Sequence, residues 1–246
     1  MPSRDVSIPA KDGTIDAKLI TTDGSGPWPG VIMCADALGP RPQVYAMAQR
    51  VADSGYAVLV PNPYYRGGKA PVVNPEADFA NEKDRNEIMA QMMSLTPERI
   101  ADDAGTEGEF LAAQPEVAKG KLGVTGYCMG GGMALRFAAA RPDLFGAAAS
   151  YHGGMLATDG PDSPHLLLKN VSAELYFGHA DNDELMDAAA IEKLEKALKE
   201  SGKAFTSELY PDAPHGFAVP GRDTFRADAA ERHYDTMLGL FDRALG

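Results

Sequence analysis

At 246 residues, 44% apolar and 24% charged, the chain has ordinary globular composition, which excludes a disordered or fibrous protein and fits one domain over residues 1–246. Its 35 acidic against 23 basic residues leave a net charge of −12. That balance argues against nucleic acid and anionic membrane as partners, since both call for a basic face. Two cysteines exclude a disulfide framework and a cysteine-rich zinc site. No leader-like apolar segment follows Met1 and no run of 18 apolar residues occurs, so a cytoplasmic protein is expected.

Along the chain, residues 4–22 read as two strands around Lys11-Asp12-Gly13, a hairpin turn signal. Gly30 to Ala35 is a continuous apolar run, as expected of a strand buried on both faces. Val44, Met47, Ala48 and Val51 recur at helical spacing up to Gly55, and Tyr56 to Val60 is a second buried strand. The pattern weakens over 62–96, a cap-like connection with a helical stretch near residues 87–93. Thr96 and Pro97 then open a helix reaching Gln114. Strands at 122–126, 147–151, 174–178 and 205–210 alternate with helices at 129–140, 187–201 and 223–245. That alternation predicts an α/β fold, a mainly parallel sheet with helices on both faces.

The stretch richest in chemistry is Gly126-Tyr127-Cys128-Met129-Gly130, where a short apolar strand meets a helix. G-x-C-x-G is the spacing of a nucleophile elbow with cysteine in place of serine. Glycines two residues to either side keep a sharp turn free of collision. The following helix aims its N–H groups and dipole at the sulfur, which stabilises negative charge there and on an oxyanion. Thr125-Gly126 with Gly130 and Gly132 also matches a dinucleotide-binding loop. That reading is disfavoured because the loop lies mid-chain and the one Tyr-x-x-x-Lys, Tyr65 to Lys69, precedes it. A buried structural cysteine is the plain alternative, and Cys34, inside a buried strand, is read that way.

An elbow nucleophile needs an imidazole base and an orienting carboxylate, in the chain order nucleophile, acid, histidine. His215, in Pro214-His215-Gly216-Phe217, follows one strand. Asp181 follows another and is preferred as the acid, with Asp183 its rival. His152, in Ser150-Tyr151-His152-Gly153, also follows a strand and is placed in the same cleft. His165, His179 and His233 are assigned packing or surface roles. Asp181-Asn182-Asp183-Glu184 lacks the glycine and spacing of a calcium loop, so no metal and no cofactor are expected.

With these residues in view, the chain resembles the dienelactone hydrolase family of the α/β-hydrolases, over most of its length. The resemblance implies an α/β-hydrolase fold and a Cys128–His215–Asp181 triad. It implies backbone oxyanion donors at Ala37 and Met129, and Asp36 where the family has a glutamate beside the resting thiol. Tyr127, His152 and Arg85 are further candidates beside the nucleophile or the substrate. The family's carboxylate-gripping arginine, four residues past the histidine, is replaced by Val219, so neutral esters or lactones are expected to outperform dienelactone. Met89, Met92 and Met93 are candidates for an apolar wall. The expected activity is ester or lactone hydrolysis through a thioester on Cys128, on a small-molecule substrate, by a monomer or homodimer. The alternatives are hydrolysis of a thioester, phosphotriester or cyclic imide, or a non-catalytic redox or binding protein on the same fold.

Overall fold

A computed structural model describes residues 3–246; Met1 and Pro2, on which part of the reading of the N-terminus falls, lie outside them. The Asp12-Gly13 turn joins β1 (Ser3–Ala10) to β2 (Gly13–Ile20), with Ala10 opposite Gly13. On β2 alternation buries Ile15, Ala17 and Leu19 on one face. β3 (Gly30–Cys34), β4 (Ala57–Pro61) and β5 (Leu122–Tyr127) are buried at every residue, the state the unbroken apolar runs of β3 and β4 predict. β6 (Phe145–Tyr151), β7 (Glu174–Ala180) and β8 (Phe205–Tyr210) complete an eight-stranded sheet in the order β1-β2-β4-β3-β5-β6-β7-β8. The two N-terminal pairings are antiparallel and the other five parallel.

Successive side chains of a strand point to opposite faces, so one strand feeds two cores. Val31 and Met33 pack with α1 (Pro42–Asp53) and α6 (Ala227–Leu245). Ile32 and Cys34 pack with α3 (Pro97–Ala112), α4 (Met129–Ala140) and α5 (Ala188–Ser201). From β3 the chain steps outward to β4, then returns to place β5 on the other side of β3. That reversal opens a crevice at the carboxyl ends of β3 and β5, where ligands bind in open α/β sheets.

The 62–96 stretch holds a 3₁₀ turn (Tyr65–Gly67) and α2 (Glu82–Met93). The helix begins five residues before the residue-87 start read from the sequence. Its first turns are polar and only Ile88 is buried, so its start is marked by the Asn81 cap rather than by apolar spacing. Ile88 joins Ala37, Leu38, Tyr64, Val73 and Ala77 in a small third core that walls one side of the crevice. The last helix begins at Ala227 rather than residue 223, because Arg226 N–H donates to the Phe217 carbonyl at 3.0 Å and holds the preceding residues in a loop.

Between β5 and α4 the chain turns so sharply that a Cβ on Gly126 would lie 1.9 Å from the Gly130 carbonyl oxygen. A Cβ on Gly130 would lie 2.4 Å from the Cys34 carbonyl oxygen. Both obstacles are backbone and neither can rotate away. Gly126→Ala is therefore expected to cost about 3 kcal/mol, the upper range of overpacking, as a lowered denaturant midpoint. An unchanged midpoint would show that the turn relaxes freely.

Candidate active site

The turn leaves Cys128 at φ 55°, ψ −118°, a backbone region that non-glycine residues rarely occupy. The loop is pinned by Cys128 N–H donating to the Tyr151 carbonyl at 3.2 Å and by Gly131 N–H donating to the Cys128 carbonyl at 3.0 Å. Cys128 is half-buried and lines a pocket of about 450 Å³ at the crevice. His152, His215 and Val219 line the same pocket, together with Asp36, Ala37, Leu38 and Arg41 from the loop after β3. Ala77, Asp78, Phe79, Arg222 and Asp223 form its outer part.

The structure brings the rival carboxylate, Asp183 rather than Asp181, to His215. His215 Nδ1 lies 2.7 Å from Asp183 Oδ2, and Leu185 N–H donates to Asp183 Oδ1 at 2.9 Å. Asp181 faces the other way: its Oδ2 accepts from Asp212 N–H at 3.0 Å, and its own N–H donates to the Ala213 carbonyl at 2.7 Å. The cause is a left-handed residue, Asn182 at φ 53°, which turns the chain so that the second carboxylate enters the cleft. Asp181 instead stitches its loop to the loop that carries His215.

Asp183 is 6% exposed and its two oxygens are both engaged. Burial pushes the His215 imidazole down, but the hydrogen bond with Asp183 and the nearby Cys128 outweigh it and hold the ring up at about 10. Its Nε2 makes no hydrogen bond of ordinary geometry with any described residue, a looseness common in ligand-free active sites.

Three other candidates have their polar groups engaged elsewhere. Asp36 lines the pocket, but Arg41 takes both its oxygens in a bidentate pair, at 2.6 and 2.7 Å, and Leu38 N–H takes Oδ1 again at 3.0 Å. That carboxylate is spent on the β3 loop rather than on the thiol. Tyr127, next to the nucleophile, points into the core, its hydroxyl 3.2 Å from His233 Nε2. Arg85 donates to the Phe79 carbonyl at 3.0 Å from an exposed position on α2 and does not reach the pocket. Met89, Met92 and Met93 do not line it either; its apolar wall is Leu38, Ala77, Phe79 and Val219.

Sequence reasoning missed two arginines. Arg41, 4% exposed, is the buried partner of Asp36. Arg222 donates to the Pro75 and Ala77 carbonyls at 3.0 and 3.1 Å, tying the histidine loop to the segment before α2. The only signal for Arg222 is a cation seven residues past His215 in the same loop. Cys34 is a core thiol: burial and the neighbouring Glu107 push it well above its ordinary value. Among the described residues no group of three or more His, Cys, Asp or Glu side chains is placed to hold a metal, and no helix is long and apolar enough to cross a membrane.

The model of the dienelactone hydrolase family matches residues 15–245. The chain belongs to the dienelactone hydrolase family. It is therefore a hydrolase, on the α/β-hydrolase fold. Among curated relatives, a protein provisionally named carboxymethylenebutenolidase from Methylorubrum extorquens is 25% identical over 96% of this chain and 79% of its own length. One of the same name from Synechocystis is 25% identical over 98% of this chain and 96% of its own. A solved dienelactone hydrolase-like promiscuous phosphotriesterase from metagenomic libraries superposes with a TM-score of 0.78. It is 22% identical, covering 99% of this chain and 98% of that one. A dienelactone hydrolase from Anabaena variabilis gives 0.70 at 18% identity, with the same coverage of each chain. At such identities these two structures bear on the fold alone.

The two carboxylates separate cleanly in a test. Asp183→Asn is expected to lower kcat on a short ester by at least about 100-fold, against about 10⁴ for the orienting acid of a serine triad. Asp181→Asn, which loosens a loop contact, is expected to cost less than about tenfold. The reverse order in steady-state kinetics would return the acid role to Asp181.

Proposed function

We propose that this hydrolase cleaves neutral carboxylic esters or lactones through a thioester on Cys128, with His215 as the proton carrier and Asp183 as its orienting acid. The observation that carries this reading is the 2.7 Å contact of His215 Nδ1 with buried Asp183, in the pocket that also holds the elbow cysteine. Asp183 fixes the tautomer and stabilises the imidazolium. A thiolate opposite that imidazolium attacks the acyl carbon. The carbonyl oxygen gains negative charge, and the backbone N–H groups of Ala37 and Met129 are assigned to receive it. Met129 opens α4, so its N–H has no acceptor within the helix. The C–O bond breaks as His215 gives its proton to the leaving oxygen. Water then attacks the thioester, returns a proton to His215 Nε2, and the C–S bond breaks to restore the thiolate.

The pocket's charges support a neutral substrate. Three carboxylates, Asp36, Asp78 and Asp223, face two guanidiniums. Arg41 is neutralised by Asp36, and Arg222 is tied to two carbonyls. Val219 contributes no cation and is itself buried. A substrate carboxylate would lose its hydration, several kcal/mol, beside three carboxylates, with Arg222, already bonded to two carbonyls, the one guanidinium there without an ion pair among the described residues.

Cys128→Ala is expected to abolish turnover of p-nitrophenyl butyrate while the fold, followed by circular dichroism, is kept. Wild-type kcat/KM for that ester is expected to exceed that for dienelactone by about tenfold or more, the equivalent of 1.4 kcal/mol. Near-normal activity in the alanine variant would remove the thioester reading. A preference for dienelactone would remove only the neutral specificity.

A further inference from the structure

The pocket contains a second imidazole that the proposed triad does not use. His152 directly follows β6, donates its backbone N–H to the Gly178 carbonyl at 2.8 Å, and sits at φ 38°. Its side chain is 1% exposed and forms part of the pocket wall, yet neither ring nitrogen has a hydrogen-bond partner among the described residues. Burial, with His215 and His233 nearby, pushes the ring well below the ordinary histidine value, so it is neutral. A neutral imidazole carries one N–H donor and one bare nitrogen, and here both are unpaired.

Packing alone does not account for this choice of residue. The His152 ring meets Phe217 edge-on at 5.1 Å between centroids and His215 edge-on at 5.2 Å. A phenyl ring would fill the same space and leave no buried polar atom unsatisfied. His215 Nε2, with Cys128 as its neighbour, lies buried in the same corner. An oxygen that reaches His215 Nε2 therefore arrives beside the His152 ring.

The strand order indicates which oxygen that is. β6 flanks β5 on the side away from β3. With the acyl oxygen held between Ala37, after β3, and Met129, the bond that breaks lies on the other flank of the sulfur, toward His215 and His152. Water must attack from where the leaving group departed, so one locus serves both half-reactions.

We propose that the His152 N–H binds the substrate oxygen that leaves in acylation, and then the water oxygen that replaces it in deacylation. This rests on the thioester reading above. No proton is consumed at His152: His215 still gives one proton to the leaving oxygen and takes one from water, while His152 only donates a hydrogen bond. A donor at that oxygen matters most where the oxygen is a poor leaving group, as in an alkyl ester or lactone. It matters least where p-nitrophenolate departs without help.

The test compares His152→Phe with His152→Asn, which keeps an N–H donor and tolerates the left-handed backbone. In the Phe variant, kcat/KM for ethyl butyrate is expected to fall by about tenfold or more, within the range of single donors at reacting oxygens. For p-nitrophenyl butyrate kcat/KM stays within about threefold. The aryl-ester kcat falls with KM, and one equivalent of p-nitrophenolate appears in a burst as acyl-enzyme accumulates. The Asn variant recovers part of each loss. Should the Phe variant fail to fold, His152→Ala carries the same comparison. Equal losses on both esters, absence of any loss, or an Asn variant no better than Phe would overturn the proposal. Wild-type protein without Cys128-dependent turnover would remove the thioester reading and this inference with it, whereas the other outcomes remove this inference alone.

Discussion

The site depends on one close backbone approach. Gly126 and Gly130 pass each other where no Cβ fits, and Gly130 in turn lies against the end of β3. That contact fixes the angle between β5 and α4 and forces Cys128 into a left-handed backbone. The strain is held by elements buried on both faces, which have no room to relax. The sulfur is thereby presented at the carboxyl edge of the sheet, at the mouth of a helix N-terminus, beside the strand-order reversal between β3 and β5.

Around that fixed point each loop uses its charges differently. On the β3 side Asp36 and Arg41 neutralise one another in a buried bidentate pair, which shapes the loop and withdraws both from chemistry. Removing one partner of such a pair leaves an uncompensated buried charge and typically costs about 3–5 kcal/mol. On the β7 side Asp183 spends one oxygen on its own loop and the other on His215. The imidazole is thus oriented and charged by a carboxylate that solvent barely reaches. Both loops use carboxylates as struts at the cysteine's pocket, but only the second strut ends on an imidazole.

Much of this is legible in the chain. The β3 and β4 runs are apolar throughout because both faces are covered, so they admit no confusion with half-exposed strands. Gly126-x-Cys128-x-Gly130 reads as an elbow because only glycine satisfies the collision geometry. His215 and His152 are placed at strand ends by the loops that carry them. Which carboxylate meets His215 is not legible: Asn182, between the two, sits in a left-handed turn and Asp183 beyond it makes the contact, and spacing does not encode that turn. The pairing of Asp36 is not legible either: its partner Arg41 is five residues away in an irregular loop, where no periodicity announces a pair. The true start of α2 is obscured by its polar first turns, and Arg222 by its distance from the motif.

The central claim is that the acyl group passes through the sulfur of Cys128. It is tested most directly by mixing the protein with p-nitrophenyl butyrate, quenching in acid within the first turnover, and locating the butyryl group by peptide mass spectrometry. The account expects one butyryl group, on the peptide that carries Cys128, decaying at the rate of turnover. A butyryl group on another side chain, or turnover with no acyl-protein at any time, would contradict it.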